Sequence, residues 1–307
     1  MSKPKIAFIG TGGTIASLGA GPLDLQDYGA SRNVMHADAI LARWPETALV
    51  ALCDRLVAEH PDLAGIVIGH GTATLEETAY MLNLTLKVSV PVVVVGAQRP
   101  SSALSSDAGM NLVNAIRVAA SPDARGMGVL VVLNDEIQAA REVTKTSTLR
   151  LQTFRTPDFG VLGHADGDAV AFYRRPLRRS APDTAFDIRG LAALPRVDIA
   201  YAYAGGDGTA VRAFVAAGAQ GIVSAGFAPG FSPPGDFEAL TAAVAQGGVA
   251  MQCTRAGSGR TFQNSRLREA GILIADNLNP QKARLLLSLA LTVTREPGKI
   301  EQIFRTY

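Results

Sequence analysis

The sequence is poor in the residues that bind metals, form disulfides or contact nucleic acids. It contains two cysteines and four histidines among 307 residues, and neither type has the spacing of a metal site. Cys53 and Cys253 are expected to be buried, reduced thiols, which is typical of a cytoplasmic protein. A formal net charge of +2, from 29 basic and 27 acidic residues, gives no electrostatic footprint for nucleic acid or an anionic membrane.

Long apolar segments are also missing. No run approaches the roughly 18 residues of a membrane helix, and the start, MSKPKIAFIG, lacks the apolar segment and cleavage site of a secretory signal. Hydrophobic residues nevertheless make up 48% of the chain and charged residues 18%, so the chain can bury a large core. We expect a compact cytoplasmic protein with no metal, no nucleic-acid partner and no membrane partner.

The first organised stretch is KIAFIGTGGTIAS, residues 5–17, an apolar run that ends in glycines and threonines. It predicts a buried parallel strand followed by a tight turn. The turn brings the hydroxyls of Thr11 and Thr14 to the carboxyl end of a strand, where ligands bind in open α/β sheets. A dinucleotide fingerprint is not matched because Ile15 occupies the third small position, and no lysine completes a phosphate-binding loop. An ordinary strand-to-helix loop remains an alternative.

Residues 65–72, GIVIGHGT, repeat this design. An apolar run ends in glycines, and Thr72 follows just before a predicted helix. Thr74 and Glu77 have the spacing of a capping box, which predicts the start of that helix. Because a helix amino terminus favours negative charge, Thr72 is predicted to lie where charge can develop on a substrate.

Two further strands are predicted from PVVVVGAQRP and GVLVVL, at residues 91–100 and 128–133. The first ends near Ala97, and Asp107 is expected to cap the helix after it. The second leads to Lys145, which stands between two threonines. A lone lysine is usually a solvated charge, so Lys145 alone indicates no function.

The order of these units predicts two α/β domains. Repeated strand, turn and helix patterns predict a larger amino-terminal domain at residues 1–172, with a doubly wound parallel sheet. Prolines and arginines at residues 173–196 predict a linker. Strand-like runs then alternate with helical ones, which predicts a smaller α/β domain at residues 197–307.

Five motifs together resemble the bacterial-type asparaginase family. They are TGGTIA, HGTATLEETAY, VGAQRP, VTKTST and LNPQKARLLLSLAL, and they follow the family's order over nearly the whole chain. The resemblance implies a two-domain α/β fold and an amidohydrolase that needs no cofactor or metal. It also implies a tetramer of two intimate dimers, in which each active site lies between two subunits.

Catalytic roles are carried over from the resemblance by position. Thr14 matches the family's nucleophile, and Tyr28, in the glycine-rich stretch after it, matches a tyrosine that hydrogen-bonds to the nucleophile. Thr72 and Lys145 match the threonine and lysine of a second catalytic set. Ala97 matches the residue whose carbonyl holds the substrate amide.

These residue types suit amide hydrolysis. An amide is a poor electrophile, so its hydrolysis needs an oxygen nucleophile, a base and donors for the oxyanion. Threonine hydroxyls can attack, and Lys145 can act as the base if burial lowers its pKa. Backbone N–H groups near Thr72 can stabilise the oxyanion.

The positions that should recognise an amino acid depart from the family pattern. Gly71 and Ala73 are predicted to line the substrate position, but Ala73 replaces the aspartate that holds a substrate amino group. Asn264 stands where a partner subunit usually supplies a glutamate or serine. FAPGF, residues 227–231, replaces a loop with amide side chains, and residues 38–49 lack the serine-bearing loop that holds the α-carboxylate.

We therefore predict a threonine amidohydrolase that hydrolyses a carboxamide and releases ammonia, or that opens the C–N bond of an imide or lactam, with a substrate that has no free α-amino group. A conventional L-asparaginase that converts asparagine to aspartate is one alternative. A non-catalytic small-molecule binder is another, although the threonines and the lysine are intact. A subunit of a tRNA-dependent amidotransferase would need a further tRNA-contacting domain, for which the chain has no room.

Overall fold

The computed structural model describes residues 3–18, 24 and 45–307. The chain divides into two compact units, Met1–Arg189 and Gly190–Tyr307. Each unit is an α/β domain with its own sheet. The predicted architecture of a larger and a smaller α/β domain is therefore confirmed.

The first unit is built on a seven-stranded sheet. Strands β1 to β4 are parallel. The apolar runs of β2, β3 and β4 are buried, which suits strands that are covered on both faces. The prediction that β1 is also buried is wrong: it lies at the end of the sheet, and Phe8 is 55% exposed. The order in the sheet is β1-β2-β3-β4-β5-β8-β9, while β6 and β7 form a separate antiparallel pair. The bounds are β1 Lys5–Gly10, β2 Leu63–Gly69, β3 Val92–Val95, β4 Val129–Leu133, β5 Glu136–Ala139, β6 Thr144–Lys145, β7 Phe154–Arg155, β8 Gly163–Ala165 and β9 Val170–Phe172.

The sheet is mixed rather than wholly parallel, because β5, β8 and β9 run antiparallel to their neighbours. The chain reverses after β4 at Asn134 and Asp135, whose φ angles of 53° and 63° lie in the left-handed region. Asn and Asp tolerate this region, which two-residue hairpin turns require. The strands after this turn are short and partly polar, so no apolar run reveals them in the sequence.

Three helices follow the parallel strands: α1 (Pro45–Glu59), α2 (Leu75–Thr85) and α3 (Ala108–Ala120). Thr74 stands at the N-cap of α2, but its side chain makes no cap hydrogen bond. The predicted start of the helix is confirmed, while the capping box with Glu77 is wrong. The core between α3 and the sheet contains Val67, Val93, Val95, Ala115, Val118, Leu130 and Val132.

The carboxyl ends of β1, β2 and β3 lie side by side. Gly10 pairs with Gly69, and Gly69 pairs with Val95. Backbone hydrogen bonds continue past the strand ends, from Thr11 N to Gly69 O at 2.9 Å and from His70 N to Val95 O at 2.8 Å. The loops that follow these strands therefore begin at one edge of the sheet.

The second unit has a four-stranded parallel sheet in the order β10-β11-β12-β13. Its strands are β10 Val197–Tyr201, β11 Gly221–Gly226, β12 Val249–Thr254 and β13 Leu273–Ile274, and they alternate with helices as predicted. Its helices are α4 Thr209–Ala216, α5 Pro234–Ala245, α6 Ser265–Glu269, α7 Pro280–Val293 and α8 Pro297–Thr306. Apolar side chains from the strands and from α4 and α5 form its core, among them Ala200, Val211, Ile222, Leu240 and Ala250.

Both cysteines are buried, as predicted. Burial raises the pKa of the Cys53 thiol to about 12, and it raises the pKa of Cys253 as well, so neither has the thiolate character of a reactive cysteine. Over the described residues, no helix is both long and apolar enough to span a membrane. The same residues contain no group of three or more His, Cys, Asp or Glu side chains suited to a metal ion.

Candidate active site

Two glycine-containing turns meet at the carboxyl ends of β1 and β2. Gly12 and Gly13 have φ angles of 90° and 87°, a backbone region that favours glycine. A Cβ on Gly13 would lie 2.2 Å from Gly71 Cα. The backbones of the two turns are therefore in direct contact, and no residue larger than glycine fits at position 13. Thr14 and Thr72 each follow one of these contacting glycines. The structure thus brings the two predicted threonines to adjacent turns.

Hydrogen bonds fix the backbone around Thr14, which is half-buried. Thr14 begins a short 3-10 turn, Thr14–Ala16. Ser17 N donates to Thr14 O at 3.2 Å, and Ser17 Oγ donates to Gly13 O at 3.0 Å. The other threonine of this turn has a structural partner, because Thr11 Oγ1 donates to Gly69 O at 2.9 Å. Of the two hydroxyls, that of Thr11 therefore anchors the turn to β2.

Lys145 contacts Thr72 from the β6–β7 pair. Its Nζ donates to Thr72 Oγ1 at 2.8 Å, and the Phe154 ring lies 6.0 Å from Nζ. Thr72 is 7% exposed and Lys145 is half-buried. Burial lowers the pKa of Lys145, and the nearby Glu76 carboxylate opposes this effect. The site therefore holds a hydroxyl against an amine that loses its proton more readily than an exposed lysine does.

Glu76 was not among the residues predicted from the sequence. Its carboxylate is buried, and Oε1 accepts a hydrogen bond from Lys145 N at 3.3 Å. The helix that carries it, α2, is buried over nearly its whole length and has two acidic residues in its first turn. Charged side chains are seldom buried without a partner, so a glutamate in a helix that was expected to pack on the sheet is the signal that could have revealed it.

The loop that carries Ala97 is held by a carboxylate. Ala97 is fully buried just after β3. Asp107 accepts hydrogen bonds from the next two backbone N–H groups, those of Gln98 and Arg99, both at 2.9 Å. These bonds to a charged acceptor fix the backbone on the carboxyl side of Ala97.

The prediction that Asp107 caps α3 with its side chain is wrong. Asp107 stands at the N-cap position, but its carboxylate makes no cap hydrogen bond because it binds the loop instead. Asn111, one turn into the helix, donates from Nδ2 to both Asp107 Oδ2 and Gly96 O at 3.0 Å. Asp107 and Asn111 together connect the start of α3 to the loop after β3.

Replacing Asp107 with asparagine should destabilise the first unit. The amide can keep one acceptor oxygen, but its NH₂ group then faces a backbone donor, and hydrogen bonds to a charged group are worth about 1.5–3 kcal/mol. We expect a loss of about 2 kcal/mol, or roughly 4–8 °C in Tm for a domain of this size. Thermal unfolding measures this loss, with Asp123→Asn as the control, because Asp123 is an exposed aspartate on the 3-10 turn Pro122–Ala124. Equal Tm values for the two variants would contradict the assigned role.

The remaining predicted site residues of the first unit make no described contact with the Thr72–Lys145 pair or lie outside the described residues. Tyr28 lies outside the described residues, so its predicted role is untested. Ala73 is exposed directly after Thr72. Of residues 38–49, those from Pro45 onward belong to α1, and the others lie outside the described part of the chain.

Two predicted recognition elements belong to the second unit. Asn264 Oδ1 accepts a hydrogen bond from Leu267 N at 2.9 Å, so Asn264 caps α6. Residues 227–231 form a tight turn after β11, in which Phe227 N donates to Phe231 O at 2.7 Å. The Arg255 guanidinium packs 4.8 Å from the Phe227 ring centroid. Both elements are thus ordered by contacts within this unit.

The fold and the site define a class of two-domain α/β proteins with a threonine–lysine pair at the edge of a parallel sheet. Residues 5–178 match the family model "Asparaginase, N-terminal", and residues 196–304 match "Glutaminase/Asparaginase C-terminal domain". The chain therefore belongs to the asparaginase family of amidohydrolases, which confirms the resemblance found in the sequence.

Individual relatives agree with this assignment. "L-asparaginase 2" of Bacillus subtilis is 39% identical, over 99% of this chain and 87% of the relative. "L-asparaginase 2" of Escherichia coli is 44% identical over 79% of this chain and 70% of its own length. The crystal structure of a "Probable Cytoplasmic L-asparaginase" from Campylobacter jejuni has a TM-score of 0.91 and 36% identity, and covers 99% of this chain and 100% of that chain.

Proposed function

We propose that the protein hydrolyses a small carboxamide by way of a threonine nucleophile, and that its preferred substrate lacks a free α-amino group. The observation that carries the proposal is the 2.8 Å hydrogen bond between Lys145 Nζ and Thr72 Oγ1. This pair lies at a turn in direct contact with the one that leads into Thr14. A hydroxyl, an amine with a lowered pKa and a second hydroxyl are the groups that metal-independent amide hydrolysis needs.

In the proposed reaction Thr14 Oγ1 attacks the amide carbon and forms an acyl-threonine. The hydroxyl proton leaves to the Thr72–Lys145 pair, and the departing nitrogen takes a proton as ammonia is released. Water then attacks the acyl carbon, its proton passes to the same pair, and the Thr14 hydroxyl is restored. Lys145 serves as the base, which typically contributes roughly 10²–10⁴ in rate.

Backbone N–H groups beside Thr72 are the proposed oxyanion donors. Among the described residues, the N–H groups of Thr72 and Ala73 donate to no other group. Both precede the amino terminus of α2, where the helix dipole favours negative charge. One such donor is worth about 3 kcal/mol in the transition state.

Ala73 supports a substrate without an amino group. Its exposed methyl stands where the family pattern has an aspartate, so no carboxylate at this position can pair with a substrate ammonium. If bound substrate covers this position, loss of one partner of the charge pair costs about 2–5 kcal/mol, and 1.4 kcal/mol is tenfold in affinity. Asparagine would therefore bind at least tens-fold more weakly than with the aspartate present.

L-asparagine is the second candidate substrate, because the Bacillus subtilis and Escherichia coli relatives are both named L-asparaginase 2. In that case other groups hold the amino group. The Ala73→Asp variant separates the two candidates. The proposed function predicts that this variant gains at least tenfold in kcat/KM for L-asparagine, whereas a conventional asparaginase would change little.

The experiment that tests the function is a panel of linear amides, cyclic imides and lactams, with and without an α-amino group. Carboxylate products are followed by mass spectrometry and ammonia by a coupled assay. We expect turnover of a substrate without the amino group, and we expect it to disappear in Thr14→Ala. Absence of Thr14-dependent turnover across the panel would favour a non-catalytic binder and contradict the proposal.

We also propose that the chain forms a homo-oligomer, as the family resemblance implies. Light scattering at micromolar concentration measures this directly. A mass corresponding to one chain would contradict it.

A further inference from the structure

Glu76 is a buried carboxylate in the first turn of α2. It is 7% exposed, and nearly all of the helix around it is buried. A carboxylate in such surroundings loses its hydration and is retained only where a partner compensates that loss. One of its partners is the backbone N–H group of Lys145.

The first contact of Glu76 is with the Lys145 backbone. Oε1 accepts the Lys145 N–H at 3.3 Å. Lys145 lies on β6, which pairs with β7 and is not part of the seven-stranded sheet. Glu76 therefore ties this separate strand pair to α2, the helix that begins three residues after Thr72.

The second contact is electrostatic. Lys145 Nζ donates to Thr72 Oγ1 at 2.8 Å and faces the Phe154 ring. Burial lowers the pKa of Lys145, while the Glu76 charge raises it. Within the described part of the chain, Glu76 is the charged group that acts on this ammonium, and Ala73 adds no charge beside it.

We infer that Glu76 is a positioning residue that holds Lys145 against Thr72 and supplies the negative charge that Ala73 does not provide. The inference deepens the proposed function and rests on it for the role of Lys145 as a base. Two parts are separable. The hydrogen bond sets where Lys145 lies, and the charge sets how readily its ammonium loses a proton.

The Glu76→Gln variant separates charge from shape. Glutamine keeps an oxygen that can accept the Lys145 N–H, but it removes the negative charge. Since a neighbouring opposite charge favours the charged form of a group, its removal should lower the pKa of Lys145 further. Glu77→Gln changes the next residue of the same helical turn and is the matched control, with no shift expected.

The pKa of Lys145 is measured without a substrate by trace labelling with acetic anhydride across a pH series, with the modified peptide quantified by mass spectrometry. The inference predicts a lower labelling pKa in Glu76→Gln, and values close to those of the unmodified protein in Glu77→Gln and Glu76→Asp. An unchanged labelling pKa in Glu76→Gln would overturn the electrostatic role. If Glu76→Gln fails to fold, Glu76→Asp is the test, because aspartate keeps the negative charge. A labelling pKa of Lys145 clearly below that of the unmodified protein in Glu76→Asp would then overturn the electrostatic role.

Kinetics on a turned-over amide give a second readout. Because the base must be neutral, a lower Lys145 pKa should move the acid limb of kcat/KM to lower pH by the same amount, and a weaker base should lower the plateau. A purely structural role would lower the plateau without moving the limb. If no amide is turned over, the proposed function fails, while the labelling experiment still decides whether Glu76 controls Lys145.

Discussion

Replacing Thr14 with alanine should abolish measurable turnover, with a loss of roughly 10⁴-fold or more, as is usual when a covalent nucleophile is removed. The expectation follows from the position of Thr14 after Gly13, which contacts Gly71 directly. Without the Thr14 hydroxyl, no acyl-threonine can form, and the remaining pair has no nucleophile to activate. Single-turnover formation of product measures the loss with least interference from product release.

Two other variants define what the Thr14→Ala result means. Thr14→Ser keeps an oxygen nucleophile and should retain activity far above that of the alanine variant. Thr11→Val removes a hydroxyl from the same turn, but that hydroxyl donates to Gly69 O, so we expect a loss of about 1 kcal/mol in stability and less than tenfold in rate. Equal losses for Thr11→Val and Thr14→Ala would show that the turn matters only for folding.

Replacing Lys145 with methionine should lower kcat/KM by roughly 10²–10⁴-fold, which is the usual contribution of a general base. Methionine has a similar length and cannot accept a proton, so Thr72 Oγ1 loses its partner at 2.8 Å. Steady-state kinetics on the amide identified from the panel measure the effect. Thermal unfolding of the variant is measured as well, because removing the ammonium takes away both its own burial cost and the cation that acts on the buried Glu76 carboxylate.

The pH profile gives the sign of the Lys145 effect. Burial lowers the pKa of Lys145, so the neutral amine accumulates at lower pH than for an exposed lysine, and kcat/KM should rise with pH through that pKa. The methionine variant should lack this rise. Lys145→Arg keeps the charge but cannot lose a proton in the working range, so it should be as slow as methionine. Substantial activity in Lys145→Arg would show that the cation, rather than a base, is needed.

The strands that build the site were predictable because they are continuous apolar runs. Residues 66–68, 92–95 and 129–133 are fully buried in the sheet, and each run ends in a turn at the same sheet edge. The antiparallel strands beyond Asn134 were not predictable in this way. They contain Glu136, Gln138 and His164, and their direction follows from the reversal at residues 134 and 135.

The catalytic candidates were predictable as residues, but their connections were not. Thr72 and Lys145 are 73 positions apart, and only a motif match joined them before the fold was known. Asp107 has the sequence context of a cap, yet its carboxylate binds Gln98 N and Arg99 N. Asp107 and Gln98 are nine residues apart. Their contact depends on how the loop between them folds back, which the spacing of residues in the sequence does not predict.

Ala73 and residues 227–231 differ from the family pattern at positions that are expected to recognise the substrate. Similarity to the family does not show how these differences change substrate preference. The family assignment is shared with relatives that carry the asparaginase name, while Ala73 is exposed beside the pair that is proposed to perform the chemistry. The residues proposed to carry out hydrolysis are thus present, while position 73 has no carboxylate that could pair with a substrate amino group. The names of the relatives lead to the expectation of L-asparagine as the substrate. The residue at position 73 leads to the expectation of a substrate without an amino group.

We propose that this site keeps its hydrolytic centre and does not recognise a substrate amino group. The most direct measurement is the kcat/KM of the unmodified protein for succinamate and for L-asparagine, which differ by that amino group. We expect a value at least about tenfold higher for succinamate, since one lost charge contact exceeds 1.4 kcal/mol. A value much higher for L-asparagine would contradict it.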